Sequence, residues 1–159
     1  MATSFSLNQQ FSIPGTNTYL VGQGAERILI DTGEGRPSWQ VALRSVLATE
    51  GATIKQALLT HWHHDHADGV PDLLKICPDV KIYKNQPKGN ELDIEDGQEF
   101  TVEGATLRAF HTPGHTTDHM VFIFEEENAM FTGDSEFSHC FCVRCLPLRW
   151  DVSSSLSRG

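Results

Sequence analysis

The chain has 159 residues, of which 39% are hydrophobic, and this is enough for one domain with a buried core. Its formal net charge is −9, with the acidic residues spread along the chain. This composition argues against sequence-independent nucleic-acid binding, which depends on Lys and Arg. No apolar run approaches the length of a membrane span.

The N-terminal sequence and the cysteines bear on the compartment. The first ten residues, MATSFSLNQQ, contain neither an apolar signal-peptide region nor an Arg-rich amphipathic stretch. The four cysteines lie mostly near the C-terminal end and lack the pattern of a disulfide framework. We therefore expect a cytoplasmic protein that is not attached to a membrane.

The first predicted elements are a β-hairpin followed by a helix. Residues 19–21 and 27–30 are apolar runs with strand character, and a glycine-containing turn separates them. A helix is predicted over residues 39–48, because its apolar side chains recur at helical spacing. Pro37 precedes this helix and Gly51 ends it.

The next predicted strand, at residues 54–59, leads into the most informative segment of the chain. Residues 60–66 read THWHHDH and carry four side chains that can bind a metal: His61, His63, Asp65 and His66. Imidazole and carboxylate groups suit zinc, with iron and manganese as weaker candidates. Two divalent ions about 3.5–4 Å apart need ligands that converge from a short, rigid segment, and a loop leaving a strand provides one. The alternative is a solvated His-rich loop.

A helix is predicted after the histidine cluster, with Asp68 as its N-cap and Pro71 in its first turn. Further strands are predicted at residues 81–83, 99–102, 107–110 and 120–124. Gly97 and Gly104 lie in the turns between them.

Two later loops supply further candidate ligands. His115 lies in the segment HTPGHT, where Pro and Gly mark a sharp turn that would aim one histidine inward. Asp134 ends the segment TGD, where Gly133 permits a close backbone approach and a carboxylate can bridge two ions. Taken singly, each is more often an ordinary loop residue, but together with the first cluster they favour a two-metal centre. His64 and His111 stay outside this set.

The order of these motifs resembles the metallo-β-lactamase superfamily. The pattern H-x-H-x-D-H is followed by H-T-P-G-H-T and then by T-G-D, with Asp31-Thr32-Gly33 upstream, over about Gly15 to Asp134. The resemblance implies an α/β fold, the αββα sandwich built from two similar halves, of which this chain carries roughly the N-terminal half.

Shorter segments narrow the resemblance within that superfamily. Residues 15–22, 115–120 and 125–129 are similar to the lactamase-like protein 2 branch, which includes a mitochondrial endoribonuclease. Residues 82–87 and 96–100 are similar to fungal lactamase-like thioesterases that work beside non-reducing polyketide synthases.

Carried over by position, the resemblance implies a two-zinc centre whose ligands are His61, His63 and His115 for the first ion, Asp65 and His66 for the second, and Asp134 as a bridge. Asp65 would also act in catalysis, by orienting the nucleophilic water and passing a proton to the leaving group. Asp31 would orient a ligand histidine from behind. His119 is interpreted either as a supporting residue of the site or as a plain structural histidine.

The resemblance also implies an activity. We expect a zinc-dependent hydrolase, a thioesterase that releases an aromatic polyketide from the acyl carrier protein of a non-reducing polyketide synthase in fungal secondary metabolism. The partner would then be an acyl carrier protein domain. Ions that lower the pKa of water to about 7 suit hydrolysis at neutral pH, and a leaving thiolate needs little protonation. The alternatives are a metallo-β-lactamase-fold endoribonuclease, a glyoxalase-II-like hydrolase, or an inactive fragment.

The C-terminal residues depart from the family pattern. After Asp134 the family continues into a second half that supplies a further ligand histidine, and residues 135–159 show no resemblance to it. We therefore expect a partial domain at residues 1–134, an unrelated irregular tail at 135–159, an impaired second zinc site and poor independent stability. An alternative for the tail is a zinc knuckle formed by His139, Cys140, Cys142 and Cys145. Its C-x-C-x2-C spacing, however, lacks the paired C-x2-C ligands of structural zinc sites.

Overall fold

Two β-sheets form the centre of the molecule. The computed structural model describes residues 16–135 and the backbone of residues 8–11. The first sheet has five strands in chain order: β1 (Asn8–Phe11), β2 (Thr18–Val21), β3 (Glu26–Ile30), β4 (Thr53–Leu58) and β5 (Lys81–Tyr83). The second has four: β6 (Glu99–Val102), β7 (Ala105–His111), β8 (Met120–Phe124) and β9 (Ala129–Phe131). The predicted tail, apart from Ser135, lies outside the described residues, and so does its alternative zinc knuckle.

Strand direction follows from the connections. β1, β2 and β3 pair antiparallel, and the predicted hairpin joins β2 to β3. β3, β4 and β5 pair parallel, and helical crossovers connect them: α1 (Pro37–Glu50), then α2 (His64–Ala67) and α3 (Val70–Ile76). The second sheet is antiparallel throughout. The C-terminal ends of β3 and β4 therefore lie side by side, with Ile30 opposite Leu58.

Two apolar cores separate the layers. The first lies between the sheets and contains inward-facing residues such as Leu107, Ala109 and Phe122. Side chains of β7 alternate between buried and half-buried, as expected for a strand with one face in the core. The second core lies between the first sheet and the helices, where Leu43 and Leu73 pack.

The described residues form three of the layers of an αββα sandwich. All three described helices contribute residues to the core on the first sheet. Within residues 16–135, no helix packs against the outer face of the second sheet, where Met130 is exposed. No described helix is both long and apolar enough to cross a membrane.

Most predicted elements are confirmed. The helix predicted at 39–48 runs from Pro37 to Glu50, and Gly51 ends it with φ of 60°. Gly97 and Gly104 also have positive φ angles, as their predicted turns require. The strands β1 and β9 are not among the predicted ones.

The helix start predicted at Asp68 is wrong. Residues 64–67 already form one helical turn, and Asp68 closes it through a backbone N–H bond to the carbonyl of His64. Gly69 then caps the next helix, without a side-chain hydrogen bond. A Cβ at Gly69 would lie 2.1 Å from the carbonyl oxygen of Thr32, so this close approach requires glycine and interrupts the helix. His64, Asp65 and His66 thus lie on a helical turn, whereas the sequence predicted a loop.

Candidate metal centre

The candidate site lies where the two sheets meet at one edge. Asp31 directly follows β3, and the histidine segment follows β4, so the parallel register brings them together. His115 lies in the loop between β7 and β8, and Asp134 follows β9. The backbone N–H of Met120 donates to the carbonyl of Thr60 over 2.8 Å and joins the sheets beside the site.

The first ligand cluster contains three imidazoles and a carboxylate. His63 Nδ1 lies 3.0 Å from His61 Nε2 and 2.9 Å from His115 Nε2. Asp134 Oδ2 is 3.6 Å from His115 Nε2 and 4.0 Å from His61 Nε2. Metal bonds of about 2.1 Å in a tetrahedron separate the ligand atoms by about 3.4 Å, so the spacing of these four atoms suits a single metal ion.

Hydrogen bonds among the imidazoles cannot account for this convergence. His63 Nδ1 carries either one proton or one lone pair, yet it faces ring nitrogens of both His61 and His115. Three ring nitrogens and a carboxylate oxygen therefore meet with too few protons to pair them. A cation accepts all of these lone pairs at once, and the first cluster fits a metal ion.

The second ligand cluster contains Asp65, His66 and the same Asp134. His66 Nε2 lies 3.2 Å from Asp134 Oδ1 and 3.5 Å from Asp65 Oδ2. This nitrogen is buried and has no hydrogen-bond partner. Thr16 donates its hydroxyl hydrogen to Asp65 Oδ2 over 2.7 Å and fixes that carboxylate. A buried lone pair aimed at two carboxylates is repulsive unless a proton or a metal ion lies between them, so this cluster has the charge and geometry to hold a cation as well.

A network behind the ligands sets which ring nitrogens face the site. Asp31 accepts hydrogen bonds from the backbone N–H and the hydroxyl of Thr60 and from His66 Nδ1, each at 2.8–2.9 Å. Because the hydroxyl proton of Thr60 points to Asp31, its oxygen accepts from His61 Nδ1 at 3.0 Å. The network thus assigns protons to both Nδ1 atoms and directs both Nε2 atoms at the clusters, where they can bind a metal once deprotonated. Asp31 lies behind His66, which is where the sequence predicted a supporting carboxylate.

The pKa values of the two buried histidines, His61 and His66, shift in opposite directions. Burial lowers the pKa of His61 to about 4, aided by the charge of His66. Burial also lowers the pKa of His66, but its hydrogen bond to Asp31 and the charges of Asp31, Asp134 and Asp65 outweigh this and raise it to about 9. Burial raises the pKa of Asp65, but the Thr16 hydroxyl and His66 outweigh it, so the pKa is lowered and the carboxylate is ionised at neutral pH. Without a metal, His66 is therefore the group that carries a proton.

His119 and Gly133 line the wall of the site. His119 is fully buried, its Nδ1 lies 3.0 Å from the hydroxyl of Thr112, and its Nε2 has no hydrogen-bond partner. Gly133 has φ of 51°, and a Cβ there would lie 2.8 Å from His119 Nε2 and 3.0 Å from the Thr60 side chain. The close approach predicted at Gly133 is therefore present, and it carries the backbone to Asp134.

The structure brings together every residue predicted as a ligand: His61, His63, Asp65, His66, His115 and Asp134. His64 is largely exposed and belongs to neither cluster, and the Nε2 of His111 faces the carbonyl of Thr117 at 2.9 Å. The sequence analysis missed Thr16 and Thr60, which orient ligands. Thr60 directly precedes the first ligand histidine, and that adjacency is the signal that identifies it.

Sequence comparisons relate this chain to known proteins. A protein-family model, described as the metallo-beta-lactamase superfamily, matches residues 13–143 of the chain. The atrochrysone carboxyl ACP thioesterase of Aspergillus chevalieri is 58% identical over 135 residues, which cover 84% of this chain and 44% of that protein. The protein of the same name from Aspergillus fumigatus is 57% identical over 132 residues, 82% of this chain and 31% of the relative. Lactamase-like protein aptB of Emericella nidulans is 57% identical, over 82% of this chain and 43% of its own length. The chain thus spans less than half the length of these curated relatives.

Solved structures share the fold. ETHE1 from Myxococcus xanthus superimposes with a TM-score of 0.67 at 22% identity, covering 79% of this chain and 56% of that one. MEM-A1, a subclass B3 metallo-beta-lactamase from a soil metagenome library, gives a TM-score of 0.65 at 19% identity, covering 80% and 60% of the respective chains. At these identities the likeness concerns the fold alone.

Proposed function

The chain belongs to the metallo-beta-lactamase superfamily, and from that premise we propose that it carries the metal centre of a zinc-dependent thioesterase. The proposed substrate is an aromatic polyketide held as a thioester on the acyl carrier protein of a non-reducing polyketide synthase. The reaction is hydrolytic release of that chain.

The observation that carries the proposal is the convergence of two ligand clusters on one shared carboxylate. Asp134 offers one oxygen to each cluster, 3.6 Å from His115 Nε2 and 3.2 Å from His66 Nε2. A carboxylate shared in this way suits a pair of ions that lie close together. The abundance of imidazole in the first cluster favours zinc over calcium or magnesium, which prefer oxygen ligands.

Divalent ions bound there supply Lewis acidity, which polarises a carbonyl and lowers the pKa of water from about 15.7 to about 7. The protein's own contribution is orientation. Asp65 is held by Thr16 and is ionised, so it can orient a water through hydrogen bonding and accept a proton. Because its pKa is lowered, Asp65 holds no proton to donate at neutral pH, and this suits a thiolate leaving group, which needs little protonation.

The names of the relatives support the substrate class, and the net charge opposes the main alternative. The relatives from Aspergillus chevalieri and Aspergillus fumigatus are named ACP thioesterases, and they are more than half identical to this chain over most of its length. The net charge of −9 opposes the endoribonuclease alternative, because RNA binding relies on basic residues.

The two clusters differ in binding strength under this proposal. The first cluster offers three imidazoles and a carboxylate, whereas the second offers one imidazole and two carboxylates, one of them shared. Binding at the second cluster must also displace the proton that His66 retains at neutral pH. We infer that the chain binds one zinc ion tightly and a second one more weakly.

Metal binding is tested with a matched pair of histidine variants. Purified chain is titrated with Zn²⁺ against a chromophoric chelator, and His63→Ala is compared with His64→Ala. His63 lies in the first cluster, whereas the neighbouring His64 is largely exposed and outside both. We expect His63→Ala to lose tight binding and His64→Ala to retain it. Equal binding by both variants, or no binding by the wild-type chain, would overturn the metal centre.

Activity is tested separately with an aromatic acyl thioester on a phosphopantetheine arm, beside the matching oxygen ester and a single-stranded RNA. We expect zinc-dependent release of free thiol and no cleavage of RNA. Zinc-loaded chain that leaves the thioester intact would overturn the thioesterase assignment while the metal centre stands.

A further inference from the structure

A buried ion pair lies beneath the loop that carries His115. Lys84 follows β5 and Asp118 precedes β8, and both side chains are almost fully buried. The ammonium of Lys84 donates to Asp118 Oδ2 at 2.8 Å and to the carbonyls of Asn85 and Gln86 at 2.8 and 2.9 Å. All three of its protons are therefore used, and no donor is left for a substrate.

Asp118 connects this pair to the ligand loop. Its second oxygen accepts a hydrogen bond of 2.7 Å from the hydroxyl of Thr116, the residue after His115. Burial raises the pKa of Asp118, but the hydrogen bonds from Lys84 and Thr116 outweigh it and lower the pKa, so the carboxylate is ionised. Gln86 adds a second tie, from its side-chain amide to the carbonyl of Thr117 at 3.2 Å.

The pair also crosses between the two sheets. Lys84 belongs to the end of the first sheet, which also carries the His61 and His63 segment, whereas Asp118 belongs to the β7–β8 loop of the second sheet. The distance between His63 and His115 therefore depends on how the two sheets are held together at this edge. Among the described residues, the backbone bond from Met120 to Thr60 and the bond from Gln86 to Thr117 also join the sheets beside the site.

We propose that Lys84 and Asp118 are positioning residues for the metal centre, which fix the His115 loop of the second sheet against the His63 segment of the first. The proposal rests on the metal centre of the proposed function. A buried ion pair rarely adds stability over apolar residues of the same volume, so its placement directly under a ligand loop calls for a role beyond stability. Holding His115 within 2.9 Å of His63 is that role.

The test removes both charges together, because removing one alone would leave the other buried and unpaired. The double variant Lys84→Met, Asp118→Asn is titrated with Zn²⁺ and with Co²⁺, whose visible absorption reports the number and geometry of the ligands. We expect a 10–100-fold loss of affinity at the first site, which is typical for residues that orient ligands, and a changed Co²⁺ spectrum. The matched control is Lys55→Met, Glu26→Gln, which removes an exposed pair of 2.7 Å on the same sheet and should change neither.

A cycle with His115→Ala separates positioning from general destabilisation. If the pair acts through His115, the affinity loss of the double variant should disappear when His115 is already Ala. Additive losses in the cycle, or a double variant that binds like wild type, would overturn the proposal. Wild-type chain that binds no zinc would overturn both this proposal and the metal centre beneath it.

If the double variant does not fold, a milder variant tests the positioning role of the Lys84–Asp118 pair. Thr116→Val removes only the hydroxyl bond to Asp118. In the metal-free protein, we expect faster hydrogen exchange at the amides of Thr112 and Gly114, which close the loop through the carbonyls of His119 and Thr116. The zinc affinity of this variant should also fall. If neither the hydrogen exchange nor the zinc affinity changes, the positioning role is refuted.

Discussion

Replacing Asp31 with Asn tests the network behind the metal ligands with the smallest change of shape. The Asp31 carboxylate accepts from the Thr60 N–H at 2.8 Å, the Thr60 hydroxyl at 2.9 Å and His66 Nδ1 at 2.8 Å. Asp31 has φ of 57°, a conformation that Asn tolerates well. The substitution therefore changes charge and hydrogen bonding with little backbone strain.

The expected loss of stability follows from the number of hydrogen-bond acceptors that the substitution removes. Asn has one acceptor oxygen, so if that oxygen serves His66, its NH₂ group faces the N–H of Thr60. A buried donor left without a partner costs about 1–3 kcal/mol, and loss of the charged acceptor adds about 1 kcal/mol. We expect the free energy of unfolding of the metal-free chain to fall by about 2–4 kcal/mol. Zinc affinity should fall about 10–100-fold, because His66 and His61 lose their fixed orientation.

The assay is urea unfolding in the presence of chelator, followed by a zinc competition titration. Asp72→Asn is the control, since its ion pair with the exposed Lys75 at 2.9 Å lies outside the site and should change the free energy of unfolding by less than about 1 kcal/mol. Asp31→Asn protein that unfolds at the wild-type urea concentration and binds zinc equally well would refute the network's role.

Three further predictions concern pH, the site wall and the metal. The pKa of His66 is raised from 6.5 to about 9, so its protonation stabilises the metal-free chain. This contribution, at most about 3 kcal/mol, is complete below about pH 6.5 and should be lost as the pH rises through 9, which unfolding titrations at a series of pH values can measure. Gly133→Ala should weaken zinc binding and lower the unfolding temperature, because its Cβ would meet His119 Nε2 at 2.8 Å. Gly89→Ala has a similar positive φ and open space around its Cβ, so calorimetry should show the cost of strain alone. Removing zinc with a chelator should lower the unfolding temperature of wild type, by an amount that grows with the zinc concentration of the reference sample.

The sequence predicted which residues meet in the two clusters because its motifs are local. His61, His63, Asp65 and His66 lie in one short segment, and strand patterns place His115 and Asp134 at strand ends. Parallel pairing of β3 and β4 then forces Asp31 against Thr60. These are consequences of periodicity and of the alignment of strand ends, which a sequence displays directly.

Other parts of the site depend on contacts between distant residues. Thr16 orients Asp65 across 49 residues, and Lys84 pairs with Asp118 across 34. No spacing rule links such partners, so the sequence analysis passed over them. The helical turn at His64–Ala67 was missed because four residues are too few to show a helical period. The domain boundary at Asp134 stays a prediction.

The conformation of the histidine segment explains how six residues serve two clusters. Residues 61–63 connect β4 to the helical turn with a bend at Trp62, and the ring nitrogens His61 Nε2 and His63 Nδ1 lie 3.0 Å apart in one cluster. Asp65 and His66 lie on the helical turn that begins at His64 and belong to the other cluster, while His64 itself is largely exposed. Trp62, which lies between these two histidines in the sequence, is exposed and belongs to neither cluster. The spacing of the histidines, more than their number, therefore determines which of them can bind metal.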